Sequence, residues 1–169
     1  MAIEIEEGDI ARQPDLDAVV NAANAELMMG GGVAGAIHRA AGPELAAACR
    51  PLAPIEPGEA VITEAFNLPN RYVIHVLGPR YGIDEPADEL LAAGYRNALS
   101  RCSEHALESV GFPAISAGAF GFPLEPAARI AMETVARHAP ERLKVRFVMF
   151  DAETRGVFAR QLERTGSRY

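Results

Sequence analysis

Asp17-Ala-Val-Val-Asn-Ala-Ala-Asn-Ala-Glu-Leu-Met-Met-Gly-Gly-Gly-Val-Ala-Gly-Ala-Ile-His-Arg-Ala-Ala-Gly-Pro43 is the stretch that decides the fold. Ala18-Val19-Val20 reads as a buried strand with Asn21 and Asn24 at its polar end. Gly30, Gly31 and Gly32 form a loop, and Val33 to Ala41 reads as a helix that stops at Gly42-Pro43. Strand, glycine loop and helix together are how α/β proteins build anion sites. Glycine lets the backbone come close to a ligand, and the helix start offers free N–H groups and the positive end of a dipole. The same run also reads as a plain tight turn, because a glycine motif is a hypothesis until its context is known.

Gly30, Gly32 and Gly35 match G-x-G-x-x-G as well, which points to a nicotinamide-dependent oxidoreductase. That fit is poor. The fingerprint should follow its strand immediately, whereas Asn24 to Met29 intervene. The acidic ribose ligand expected about 20 residues further on would be Glu56, which lies in the proline-rich loop Pro51 to Gly58. No Lys follows the glycines, so the Walker pattern is absent.

Outward from this stretch, Ile3-Glu4-Ile5-Glu6 alternates with period two and reads as an edge or second strand. Asp9 follows it, either as a turn cap or as a carboxylate facing a ligand from a strand end. Pro43 to Arg50 reads as a short helix with proline in its first turn. Glu59 to Ala65 and Arg71 to Leu77 read as strands joined by a hairpin-like turn at Phe66 to Asn70. His75, inside an apolar strand, reads as a core histidine, since a lone His without a partner motif says little about catalysis. Residues 86 to 107 carry a helical stripe of Leu90, Leu91, Tyr95, Ala98, Leu99, Cys102 and Ala106. Then come a strand from Val110 to Ile115, a second small-residue loop from Ser116 to Pro123, and a helix from Glu125 to His138. A strand from Leu143 to Phe150 and a helix from Glu153 to Arg164 follow. The alternation argues for a mostly parallel sheet with helices on both faces.

The 169 residues read as a single domain, 1–169, with room for a real core. A net charge of −7 does not favour a nucleic-acid groove. The start lacks the basic and apolar regions of a signal peptide, and no apolar run approaches membrane-spanning length. Cys49 and Cys102 read as reduced core thiols of a cytoplasmic protein. The four histidines are scattered, so no metal site is expected.

The second loop repeats the context of the first. Ligands of open α/β sheets bind outside the carboxyl ends of the strands, so two such loops on neighbouring strands would hold a diphosphate between them. Phe120 and Phe122 either anchor the second loop or lean on a sugar. Asn21 and Asn24 supply amides, which both donate to and accept from sugar hydroxyls. The inferred ligand is a nucleotide diphosphate.

Gly8-Asp9-Ile10, Asp17 to Asn24, Gly30 to Gly42, Val73 to Pro79, Phe112 to Gly121 and Val148 to Asp151, in that order and across almost the whole chain, resemble the macrodomain family. The resemblance implies an α/β protein: a three-layer α/β/α fold around a central mixed, mostly parallel sheet. It implies ADP-ribose binding without a cofactor, and hydrolysis of mono-ADP-ribose esters on Asp or Glu of proteins or of O-acetyl-ADP-ribose. Other members only read ADP-ribose. Partners would be ADP-ribose and mono-ADP-ribosylated proteins, with nucleic acid only as a modified substrate, no membrane, and a monomeric chain. Carried over, Asp9 accepts from the adenine amine beside the Ile10 backbone, and Phe150 packs on the ring. Gly31, Gly32, Val33 and Ala34, with Ser116, Ala117, Gly118, Ala119, Phe120 and Gly121, hold the diphosphate. Asn24 holds the distal ribose, Asn21 stands near it as a further binding amide, and Asn24, Phe120 and Gly32 position the reacting end. One departure matters: the best-known hydrolytic branch has Val-Asp-Gly after the glycines, whereas this chain has Val33-Ala34-Gly35. A general base is therefore missing there, as in viral and some archaeal members, several of which still hydrolyse the ester. His38, one turn after Ala34, is a weak substitute.

Overall fold

The computed structural model describes residues 2–168, with side chains through Thr165. Strands β1 (Ala2–Glu7) and β2 (Ala18–Ala22) precede helices α1 (Gly32–Ala41) and α2 (Pro43–Cys49). Strands β3 (Ala60–Glu64) and β4 (Tyr72–Val76) form a hairpin. Helix α3 (Ala87–Glu104), β5 (Ser109–Phe112), α4 (Leu124–His138), β6 (Lys144–Met149) and α5 (Ala152–Arg168) complete the chain. Among the described residues six strands form one sheet in the order β1-β6-β5-β2-β4-β3. Only the β3–β4 pairing is antiparallel. The three-layer mixed, mostly parallel architecture is the expected one, with β1 at an edge.

The period of two in β2 divides its side chains between two cores. Ala18 and Val20 join Ile74, Tyr95, Phe112, Phe147 and Phe158 in the core shared with α3, α4 and α5. Val19 joins Ile37, Leu45, Cys49 and Val73 in the core under α1 and α2. Val19, Val20 and Ile74 are fully buried, each worth ~1.5–3 kcal/mol of burial.

Several boundaries moved, for local reasons. β5 stops at Phe112, not Ile115, because Pro113 has no N–H to give a ladder. α3 stops at Glu104, not 107: Ala106 takes φ 53°, and Leu107 N–H closes on Cys102 O at 3.0 Å. Ala106 is therefore exposed and outside the core stripe. α5 runs past Arg164 to Arg168.

Candidate ligand cleft

The five parallel strands all point their carboxyl ends at one edge of the sheet. The segments after β1, β6, β5, β2 and β4 therefore line that edge in this spatial order. β5 pairs with β2, so the two small-residue loops lie side by side, as a shared anion site requires.

Local bonds shape each loop. Asn24 closes the first: its Oδ1 accepts from Met28 N–H at 3.0 Å and its Nδ2 donates to Met28 O at 2.9 Å. Gly32 then turns the chain into α1 at φ 56°, which favours glycine. Gly31 caps α1 with no side-chain bond, and no acidic residue occupies the first turn. The leading N–H groups of α1 thus face the edge without partners. Gly35 is needed for packing, because a Cβ there would lie 2.5 Å from Gly30 O.

The second loop turns at Ser116 (φ 64°) and Gly121 (φ 74°). It closes through Phe122 N–H to Ser116 O at 2.9 Å and Gly121 N–H to Gly118 O at 3.0 Å. The N–H groups of Gly118, Ala119 and Phe120 make no hydrogen bond among the described residues. Tyr95 OH holds the approach to this loop. It donates to Pro113 O at 3.4 Å and accepts from Ile115 N–H at 3.2 Å, while its ring packs 5.2 Å from Phe112. Burial pushes this phenol's pKa up, so it stays protonated.

One end of the cleft holds Asp9 and Phe150, after the neighbouring strands β1 and β6. Asp9 is exposed, and its Oδ1 accepts from Ala11 N–H at 2.9 Å. The capping reading is correct for one oxygen; the other lies 3.6 Å from Arg12 Nε at the open edge. Ile10 is buried beneath. Phe150, just past β6, is 90% exposed. Phe120 is half-buried and packs with Val33 on the α1-side core. Phe122, by contrast, is an anchor, buried with its ring 4.9 Å from Tyr81. Tyr81 N–H in turn holds Phe120 O at 2.8 Å.

Asn21 is not where the sequence reading put it. It shares the face of β2 that packs under α1 and α2, is 1% exposed, and its Nδ2 donates to His75 Nδ1 at 3.0 Å. It supports the strand end and does not line the cleft. His75 is a core residue as expected, fully buried. Accepting from Asn21, its ring carries the proton on Nε2, which donates to Thr63 Oγ1 at 3.0 Å and lies 3.6 Å from Cys49 Sγ. Thiol, imidazole and amide thus stand in the order used by cysteine nucleophiles. Burial disarms them: His75 is pushed down to about 3, with a smaller contribution from nearby His38, and Cys49 up to about 11. No thiolate forms at neutral pH. His38 is also buried, its Nε2 has no partner, and desolvation lowers its pKa.

Two positions were missed. Gly78 lies two residues past β4 where the second loop presses close: a Cβ there would lie 2.1 Å from Ser116 Oγ and 2.6 Å from Ile115 Cγ2. Its place directly after a buried strand was the available signal. Tyr95 carried none beyond helical spacing. Among the described residues no cluster of His, Cys, Asp and Glu could hold a metal, and no helix is long and apolar enough to cross a membrane.

Comparison with known proteins gives the same result from sequence and from shape. Residues 20–131 match the Macro domain family model. An O-acetyl-ADP-ribose deacetylase of Cronobacter sakazakii is 47% identical over 169 aligned residues, covering 95% of this chain and 93% of that protein. A macro domain-containing protein of Streptomyces coelicolor is 45% identical, covering 95% and 98%. The structure of an Oceanobacillus iheyensis macrodomain with ADP superposes with a TM-score of 0.94 at 37% identity, covering 99% of this chain and 93% of that one.

Proposed function

The chain belongs to the macro domain family, and on that premise we propose that it binds ADP-ribose along the sheet edge and hydrolyses ADP-ribose esters. The substrates are mono-ADP-ribose on Asp or Glu side chains of proteins and, by the same chemistry, O-acetyl-ADP-ribose, the substrate named for the Cronobacter relative. The observation that carries the binding half is the adjacency of the two loops on β2 and β5, each with unpartnered N–H groups, in line with Asp9 and Phe150. Oriented N–H groups suit a diphosphate, with no lysine or metal needed.

In this reading the free oxygen of Asp9 accepts from the adenine amine, with the Ile10 backbone alongside, and Phe150 covers the ring. Gly31 to Ala34 and Ser116 to Gly121 hold the diphosphate. Asn24, already spent on Met28, retains one N–H and one lone pair for the distal ribose, and Phe120 fixes the sugar. Gly32 leaves the space in which water approaches. Water adds at the ester, the bond between ribose oxygen and acyl group or that at the anomeric carbon breaks, and carboxylic acid and ADP-ribose leave. No side chain of this edge is placed as general base: Ala34 is apolar and buried, and His38 and His75 face the layer beneath. A phosphate oxygen of the substrate orients the water. Positioning of this kind lowers barriers by up to ~7 kcal/mol or more.

The test is turnover. Substoichiometric protein is incubated with a target modified on acidic residues, beside a Ser- or Arg-linked one, and released ADP-ribose is counted. Multiple turnovers on the acidic target alone are expected. Ala34 favours one other reading, a non-catalytic ADP-ribose reader; tight binding with no release would establish it. Binding of reduced nicotinamide cofactor instead would discard both.

A further inference from the structure

The first loop is a wall with two sides. Behind it, away from the second loop, an open groove of about 280 Å³ lies between Met29, α1 and α2, lined by Met29, His38, Arg39, Gly42, Pro43 and Ala46. Met28 and Met29 are 62% and 54% exposed, although both are large and apolar. They are held outward because Asn24 grips the Met28 backbone at both its N–H and its carbonyl. Arg39 is exposed on α1. Its guanidinium leans back along the helix toward the glycine loop: a Cβ on Gly35 would lie 2.9 Å from Arg39 Nη1 and 2.5 Å from Gly30 O. Arg39 has no ion pair or hydrogen bond among the described residues, in a chain whose net charge is −7. At the floor, His38 is 2% exposed, and its Nε2 has no partner.

The groove borders the first loop at Met29, the loop that holds the reacting end in the proposed reading. Arg39 stands seven positions past Gly32 on α1, about 10 Å of helix axis, and its guanidinium reaches back beside Gly35, so it comes within roughly three residues of extended chain from the loop. Resting on the ester-hydrolase reading above, we infer that this groove takes the polypeptide on one side of the modified residue. The chain lies over Met28 and Met29 and against Pro43 and Ala46, and an Asp or Glu about three positions from the modified residue pairs with Arg39. Methionine suits such a surface, since its flexible, polarisable side chain adapts to different neighbours. The contribution of Arg39 is preference among modified segments, because an exposed ion pair is weak.

The test uses two synthetic peptides, each ADP-ribosylated on a single Glu, with either Glu or Lys three residues away. Wild-type protein is compared with Arg39→Glu and with Ala46→Glu, which places a charge in the groove from α2. Wild type is expected to favour the Glu peptide by about fivefold in kcat/KM, the upper end for an exposed pair. Arg39→Glu inverts the preference, Ala46→Glu lowers kcat/KM for the Glu peptide, and all three proteins bind free ADP-ribose alike. For a protein that only binds, the same ratios are read from peptide Kd. An unchanged Glu-to-Lys ratio in Arg39→Glu, with normal ADP-ribose affinity, overturns the groove and leaves the function standing, whether a second copy or nothing then occupies it. A wild-type protein that fails to bind ADP-ribose overturns both.

Discussion

Two polar regions lie against β2, one at its carboxyl end and one on its α1 face, and they are built from opposite materials. The cleft at the carboxyl end is glycine, alanine and turned backbone, with Asp9 and Phe150 exposed at the far end. The cluster beneath α1 and α2 holds Asn21, His75, Thr63 and Cys49, the residue types from which catalytic sites are made, yet none is more than 8% exposed. The exposed region has little to titrate, and the titratable region cannot be reached. A survey of chemistry-bearing side chains would choose the buried one. Fixed N–H dipoles can stabilise charge without reorganising, so a site made of backbone needs no histidine.

The comparison breaks most sharply at His75. Replacing it with Ala empties a fully buried ring site and strands Asn21 Nδ2 and Thr63 Oγ1. The loss is expected at about 4–6 kcal/mol, the cavity and the unpaired groups combined, measured by urea unfolding. Affinity of the folded fraction for ADP-ribose should change less than about threefold, which is under 1 kcal/mol. A stable His75→Ala protein that no longer binds would move His75 to the ligand side. Acid probes the same ring. The folded-state value of His75 is depressed to about 3 from 6.5, so the unfolded chain binds the extra proton. The stability from keeping the ring neutral is complete above pH 6.5 and declines as pH falls toward 3. At ~1.4 kcal/mol per tenfold step in proton affinity, the loss across that window is on the order of 5 kcal/mol. His75→Gln should flatten this part of the profile, and an equally steep decline would assign the acid sensitivity elsewhere.

The strength of the sequence reading followed the same division. Gly30 to Gly32 and Ser116 to Gly121 were legible as loops at strand ends because such turns are written in glycine and in position after strands, both local signals. The neighbouring placement of β2 and β5 followed only conditionally, since strand order is set by packing across distant segments. Asn21 was misread because one residue in a period-two strand decides between edge and layer. It stands two residues after Val19, on the face that turns inward. Phe122 and Phe120 look alike in sequence; burial and the ring contact with Tyr81 make Phe122 an anchor, whereas Phe120 stays half-buried. Gly78 had only its place after a buried strand to mark it, because its reason lies in Ser116, far along the chain.

On the cleft side, Asp9→Ala should weaken ADP-ribose binding by about 1–3 kcal/mol, the usual cost of losing a charged hydrogen-bond partner, read by titration calorimetry. Its stability cost should stay near ~1 kcal/mol, since the carboxylate gives up one capping bond to Ala11 N–H. Unchanged affinity would confine Asp9 to its cap.

The smallest effect draws the contrast most cleanly. A core phenylalanine cut to alanine costs ~3–5 kcal/mol of stability, as Phe147 or Phe158, both fully buried, would. Phe150 is 90% exposed, so Phe150→Ala should leave the urea midpoint almost unmoved. If the ring covers adenine, the loss appears on binding alone, about 1 kcal/mol, the scale of an aromatic pair beyond its buried area. ADP-ribose affinity then falls roughly fivefold, while affinity for ribose 5-phosphate, which has no adenine, stays the same. Equal losses for both ligands would mean that Phe150 shapes the second loop from its neighbouring strand. No loss for either would leave an exposed aromatic beside the cleft without a part in it.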